Sequence, residues 1–244
     1  MSTQVYLTVD VEDWYDGMAE LGVDMPRPAV CASGLDGLAE LVAGTGAVLT
    51  LFTVANYAPL VADELRTLAE AGHEIASHGP DHGHLPEEYG ALVDWLRKGR
   101  EELEALVERP ITGFRSPRFD VPRTLGLDRY RAAIAEAGFT YVSDTSVLGP
   151  ASPVQEIPVL SWGRLPIGGG SYQRLFPKAV TRSAVDRVDK AVLYYHSYDF
   201  GATLPARSEI RSVPVAKQLL GRERVEGVFI DVLQRYGSEA CTGG

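Results

Sequence analysis

Seven short strand-like runs recur along this chain, with helix-patterned segments between most of them. The runs fall at residues 5–9, 48–54, 74–77, 113–115, 140–142, 157–160 and 191–195. Helical spacing of apolar residues marks 35–42, 59–71, 86–107, 124–137 and 222–236. The second of these opens on Pro59 and stops at Gly72, the usual asymmetry of helix ends. In residues 86–107, Leu92, Trp95, Leu96, Leu103 and Leu106 form one apolar stripe. A chain that alternates strand and helix in this way folds as a parallel sheet covered by helices. At 244 residues, with neither a repeat nor a low-complexity linker, residues 1–244 read as one α/β domain. The Gly168-Gly169-Gly170 run marks a loop; without a following Lys-Ser/Thr pair it is not a phosphate loop.

The polar residues keep phase with this outline. Asp10-Val11-Glu12-Asp13 closes the first run. Four of the five histidines lie in Gly72-His73-Glu74-Ile75-Ala76-Ser77-His78-Gly79-Pro80-Asp81-His82-Gly83-His84, at the end of the third run and on the loop after it. Arg115 ends the fourth run and His196 ends the seventh. All of these are C-terminal strand ends, which share one face in a barrel of parallel strands, the face where active sites are built. Imidazole is a common zinc ligand, and His78 and His82 can converge on one ion if Gly79-Pro80 turns the loop back. Residues i and i+2 share a strand face, so Asp10 and Glu12 can both reach such a site. Asp13 is the alternative carboxylate if the strand ends one residue early.

Composition narrows the class. A net charge of -10 argues against a nucleic-acid or anionic-membrane surface. Cys31 and Cys241 form no disulfide framework and suit a reducing compartment. No secretory signal and no apolar stretch of membrane-spanning length is visible, so a cytoplasmic enzyme is expected.

The motifs, in this order, resemble the polysaccharide deacetylase family, the carbohydrate esterases with a NodB homology domain. The resemblance runs from about residue 4 to about residue 236. Leu7-Thr8-Val9-Asp10-Val11-Glu12-Asp13 looks like the family's Thr-Phe-Asp-Asp-Gly block, and most like a subgroup with Val-Asp-Val-Glu-Asp there. His78-x-x-x-His82, Arg115-Ser116-Pro117 and Leu193-x-x-His196 match later motifs. The resemblance implies a distorted (β/α) barrel of about seven parallel strands. It also implies hydrolysis of an N-acetyl group from an amino sugar with one divalent ion, usually Zn2+, with Co2+, Ni2+ or Fe2+ as substitutes. Asp10 would be the general base and His196 the general acid. Glu12, His78 and His82 would bind the metal, and Arg115 would hold Asp10. The backbone N–H of Arg118 would complete the oxyanion site. The family's Asp-x-x-Asp-Trp motif is not recognisable; Asp144 and Trp162 are the candidates for parts of it.

Other residues read more plainly. His73 is expected to be structural, His84 a solvated loop residue and Asp81 a turn residue. Asp13 and Asp16 suit a solvated loop as well as a site. Trp14, Tyr15, Tyr172 and Tyr198 suit a sugar site and ordinary packing equally. Cys31 is expected to be a buried small hydrophobe. The absence of any carbohydrate-binding module points to a small N-acetylated sugar or saccharide end as substrate. The alternatives are a metal-free amide or imide hydrolase on the same barrel and a catalytically silent glycan-binding relative.

Overall fold

The computed structural model of the chain describes residues 3–15, 18, 34–144, 152–163, 165–201 and 219–242. Asp16 and Cys31 lie outside them. Seven parallel strands form one sheet: β1 (Gln4–Val11), β2 (Thr50–Thr53), β3 (Glu74–Ser77), β4 (Gly113–Phe114), β5 (Tyr141–Val142), β6 (Gln155–Glu156) and β7 (Lys190–His196), in the order β6-β5-β4-β3-β2-β1-β7. A further parallel bridge, Val159 to Val192, ties the segment after β6 to β7. The sheet therefore curls round until its two edges meet, which is the expected distorted barrel.

Among the described residues the helices are α1 (Leu35–Val42), α2 (Ala62–Glu70), α3 (Tyr89–Val107), α4 (Gly126–Glu136), α5 (Gly170–Gln173), α6 (Lys178–Val185) and α7 (Val225–Tyr236). Alternation along β1 sorts the two sides of the wall. Val5, Leu7, Val9 and Val11 face outward into the apolar cluster shared with Leu35, Leu38, Leu96 and Phe229 of the helices. The inner face of the barrel carries Tyr6, Phe52, Ala76, Tyr141, Val192 and Tyr194, packed together as a second cluster. Both faces of β1 are covered, which is why its apolar run is continuous. Burying each large aliphatic side chain stabilises the wall by about 1.5–3 kcal/mol.

The differences from the sequence expectation have local causes. Ladder pairing of β6 stops at Glu156, ahead of the expected 157–160, because Pro158 has no N–H to donate. Flanking amides still bond, from Ile157 to the Val142 carbonyl and from Val159 to the Asp144 carbonyl. Residues 58–61 are a 3-10 turn ahead of α2. α3 begins at Tyr89 because the Glu88 side chain caps it, accepting the Ala91 N–H at 3.0 Å. α5 and α6 were not expected. The glycine run is needed on the wall itself: a Cβ at Gly168 would lie 2.7 Å from the Val192 carbonyl oxygen.

Candidate metal centre and acid–base site

The inward phase of each strand, continued past its last residue, brings the ionisable groups together. β1 sends Thr8, Asp10 and Glu12 into the barrel, and register pairs Asp10 with His196 on β7. β3 continues into His78, whose N–H bonds the Thr53 carbonyl oxygen at 2.8 Å. The chain then turns at Gly79, which has φ +88 and passes Trp95 so closely that a Cβ would lie 2.3 Å from its ring. That turn folds the loop back and brings His82 to Glu12.

Among the described residues, one group could hold a metal ion: Glu12, His78 and His82 each offer a ligand atom, and these atoms lie within 4.8 Å of one another. Glu12 Oε2 is 2.8 Å from His82 Nε2 and 3.6 Å from His78 Nε2. His78 Nδ1 lies 2.9 Å from the Arg115 carbonyl oxygen. A carbonyl only accepts, so Nδ1 carries the proton and Nε2 presents its lone pair to the site. Burial of Glu12 would raise its pKa, but His82, His78 and His196 outweigh it and hold the carboxyl well below the usual range. A buried carboxylate with two imidazole nitrogens fits a divalent ion of zinc type and leaves coordination positions open.

Beside this group stands a buried ion pair. Arg115 Nη1 donates to Asp10 Oδ1 at 2.7 Å and to Thr8 Oγ1 at 2.9 Å. Its Nε and Nη2 donate to the carbonyl and hydroxyl oxygens of Ser143 at 3.0 and 2.8 Å. The guanidinium lies 4.0 Å over the Phe52 ring. On the other side, His196 Nε2 is 3.8 Å from Glu12 Oε1. Asp199 Oδ2 accepts the His196 backbone N–H at 3.1 Å and lies 3.6 Å from Nδ1. Tyr198 stacks on the imidazole, centroids 4.8 Å apart and planes 6° from parallel. Burial would lower the pKa of His196; the Asp199, Glu12 and Asp10 carboxylates outweigh it and raise it.

The remaining candidates fall elsewhere. Asp13 is not in the three-residue group; its Oδ1 accepts the Tyr15 N–H at 2.8 Å. His73 Nδ1 accepts the Leu49 N–H, and burial lowers its pKa. Asp81 closes a turn to the Gly83 N–H, and His84 is exposed beside Arg118 and Asp120. Trp14 and Tyr15 pack edge to face in the interior. Trp162 is exposed on an outer hairpin with Leu165, so it does not fill the missing motif. Asp144 is buried, and its backbone carbonyl bonds the segment after β6. After Pro117, Arg118 and Phe119 both have φ 57, a left-handed conformation that is uncommon for such residues and concentrates at functional sites. Sequence reading missed Ser143 and Asp199. Asp199 had a signal, because it stands three residues past a strand-ending histidine, at the third position of a capped 3-10 turn. Ser143 had none.

Comparison with known proteins agrees with this architecture. The chain is similar in fold to a protein from Mycobacterium smegmatis assigned to the polysaccharide deacetylases (TM-score 0.65, 20% identity, 97% of this chain and 87% of that one). It is also similar to a CE4 family pseudoenzyme from Bacillus anthracis (TM-score 0.57, 13% identity, 99% of this chain and 64% of that one). A third similar structure is the PuuE allantoinase (TM-score 0.60, 16% identity, 95% of this chain and 83% of that one). No curated protein matches the chain in sequence. Residues 135–242 match a domain of unknown function, DUF3473. Residues 4–142, more than half of the chain, match polysaccharide deacetylase, and the chain therefore belongs to the polysaccharide deacetylase family.

Proposed function

We propose that this protein is a metal-dependent hydrolase that removes an N-acetyl group from an amino sugar or a small saccharide precursor. The observation that carries the reading is the convergence of Glu12, His78 and His82, with the Asp10–Arg115 pair on one side and His196 on the other. Glu12, His78 and His82 would hold the ion, for which Zn2+ suits two imidazoles and a carboxylate best. Such an ion would supply Lewis-acid polarisation of the amide carbonyl and a water of lowered pKa.

The other steps belong to the chain. Asp10, held in place by Arg115, takes the proton from the attacking water at its free carboxylate oxygen. His196, whose pKa its carboxylate neighbours raise, gives a proton to the leaving sugar amine. The Arg118 N–H, in its left-handed turn, is the donor for the developing oxyanion. The aromatic rings of Tyr198 and Tyr194 beside His196 offer an apolar wall for a pyranose ring.

A metal-free amide hydrolase is the second reading, and one similar fold is that of an allantoinase. Three clustered ligand atoms favour the metal-dependent one. An acetate-release screen over N-acetyl sugars, with and without zinc or cobalt, tests the proposal. Metal-dependent release supports it; release unchanged by chelator, or activity confined to cyclic amides, overturns it. Kinetics on N-acetylglucosamine oligomers test substrate size, and a steep rise up to four or five sugars would overturn the small-saccharide reading.

A further inference from the structure

Two chain segments, distant in sequence, converge on the turn that follows His196. This turn, Ser197–Asp199, carries the two side chains set against the imidazole. On one side lies α1. Gly34, its N-cap, has φ +77, and a Cβ there would fall 2.0 Å from the Ser197 carbonyl oxygen. Gly37, inside α1, leaves room for the Phe200 carbonyl oxygen, which a Cβ would approach to 2.9 Å. On the other side stands Arg222, just before α7. Its Nε donates to the Tyr198 carbonyl oxygen at 3.1 Å, and its Nη2 donates to the same atom. The carbonyl oxygens of residues 197, 198 and 200 are thus each pressed or gripped from outside the turn. Among the described residues, the Phe200 turn is what a Cβ at 37 would meet, and an interior glycine costs helix stability relative to alanine.

We propose that Gly37 and Arg222 are positioning residues for the proton donor: they clamp the 197–200 turn between α1 and the start of α7. The clamp sets Tyr198 and Asp199 against the His196 ring and fixes the ring's distance to Glu12. This rests on the reading of His196 as general acid. A turn displaced by the added methyl carries Tyr198 and Asp199 with it, so the imidazole loses both its stacking partner and its carboxylate. His78 and His82 stay in place on the loop after β3; Glu12, just past β1, accepts from the Ser197 hydroxyl at its backbone carbonyl at 3.4 Å, and its carboxylate stays between the two histidines.

The test uses the zinc-loaded full chain and two variants, Gly37→Ala and Arg222→Lys. The second keeps the charge, loses the two-pronged grip and leaves α1 untouched. We expect kcat to fall by about tenfold or more in each, as misplacement of a catalytic group by a fraction of an ångström does. Metal stoichiometry should hold, and any rise in KM, through the Tyr198 ring that walls the sugar, should be smaller than the fall in kcat. Amide exchange followed by mass spectrometry should quicken in the peptide covering 196–200 and stay unchanged elsewhere. A Gly37→Ala protein with raised thermal midpoint, wild-type kcat and wild-type exchange at 196–200 would overturn the clamp, because the methyl would then have acted on the helix alone. Wild-type kcat and exchange in Arg222→Lys would overturn it from the other side. If Gly37→Ala does not fold, Arg222→Lys decides. Should the wild-type protein release no acetate at all, the deacetylase reading fails on its own, and exchange at 196–200 in the variants still decides whether the turn is clamped.

Discussion

Arg115 Nη1 and Asp10 Oδ1 meet at 2.7 Å inside the barrel, the guanidinium fully buried. A buried ion pair of this kind gains its place through its other hydrogen bonds, since desolvating both charges is expensive. Thr8 and Ser143 provide these bonds, and they also fix the plane of the guanidinium. Lysine would keep the charge and lose the fork. Arg115→Lys should therefore lower kcat with little change in KM, because the residue orients Asp10 and does not touch the sugar. Arg115→Ala should destabilise the fold by about 3–5 kcal/mol, the size expected when one partner of a buried pair is removed. Steady-state kinetics and urea unfolding measure the two effects, and a rise in KM at constant kcat would place Arg115 on the substrate.

Asp10 and His196 must hold opposite protonation states for the proposed reaction. Rate against pH should be bell-shaped, and a flat profile between about pH 5 and 9 would count against the pair. Asp10→Asn and His196→Ala should each lower kcat by ~10²–10⁴-fold and keep the metal. Complete metal loss in Asp10→Asn would show that Asp10 is a ligand and that the base lies elsewhere.

Much of this site could be read before any coordinates, for a physical reason. Strand period and helix period differ, and buried parallel strands write themselves as apolar runs, so Asp10, His78, Arg115 and His196 could be placed at strand ends. The two-residue alternation of β1 also puts Glu12 on the side of Asp10, while Asp13 bonds back to its own loop. What escaped was set by tertiary contact. Ser143 meets Arg115 across 28 residues, and no local pattern marks a serine for that task. Asp199 lies against His196 only because the turn after β7 curls it back, beside Tyr198, which the sequence had already offered for a sugar site. The short α5 and α6 carry too few apolar repeats to stand out, and Pro158 disguised where the β6 ladder ends.

Metal should stabilise as well as activate. An ion that binds only the folded chain adds about 2.7 kcal/mol at a hundred times its Kd. The thermal midpoint should therefore rise on adding zinc to metal-free protein, and the rise should vanish in His78→Ala/His82→Ala. The double variant should remain folded with its bound metal lost. A zinc-dependent shift that survives both substitutions would move the site elsewhere.

His73 offers a pH test separate from the chemistry. Its Nδ1 accepts the Leu49 N–H, and burial lowers its pKa below the usual histidine value. The folded state thus favours the neutral ring, and the unfolded state binds the proton more readily. The stabilisation is fully present above the unfolded pKa, near 6.5, and is lost as pH falls through the lower folded value. Asparagine at this position offers an amide oxygen in place of Nδ1 and does not titrate. Urea midpoints measured from pH 8 down to pH 5 should fall less steeply in His73→Asn than in the wild type, the other histidines contributing equally to both. Parallel profiles would mean that His73 carries the same charge folded and unfolded, and that the Leu49 hydrogen bond does not depend on its neutral ring.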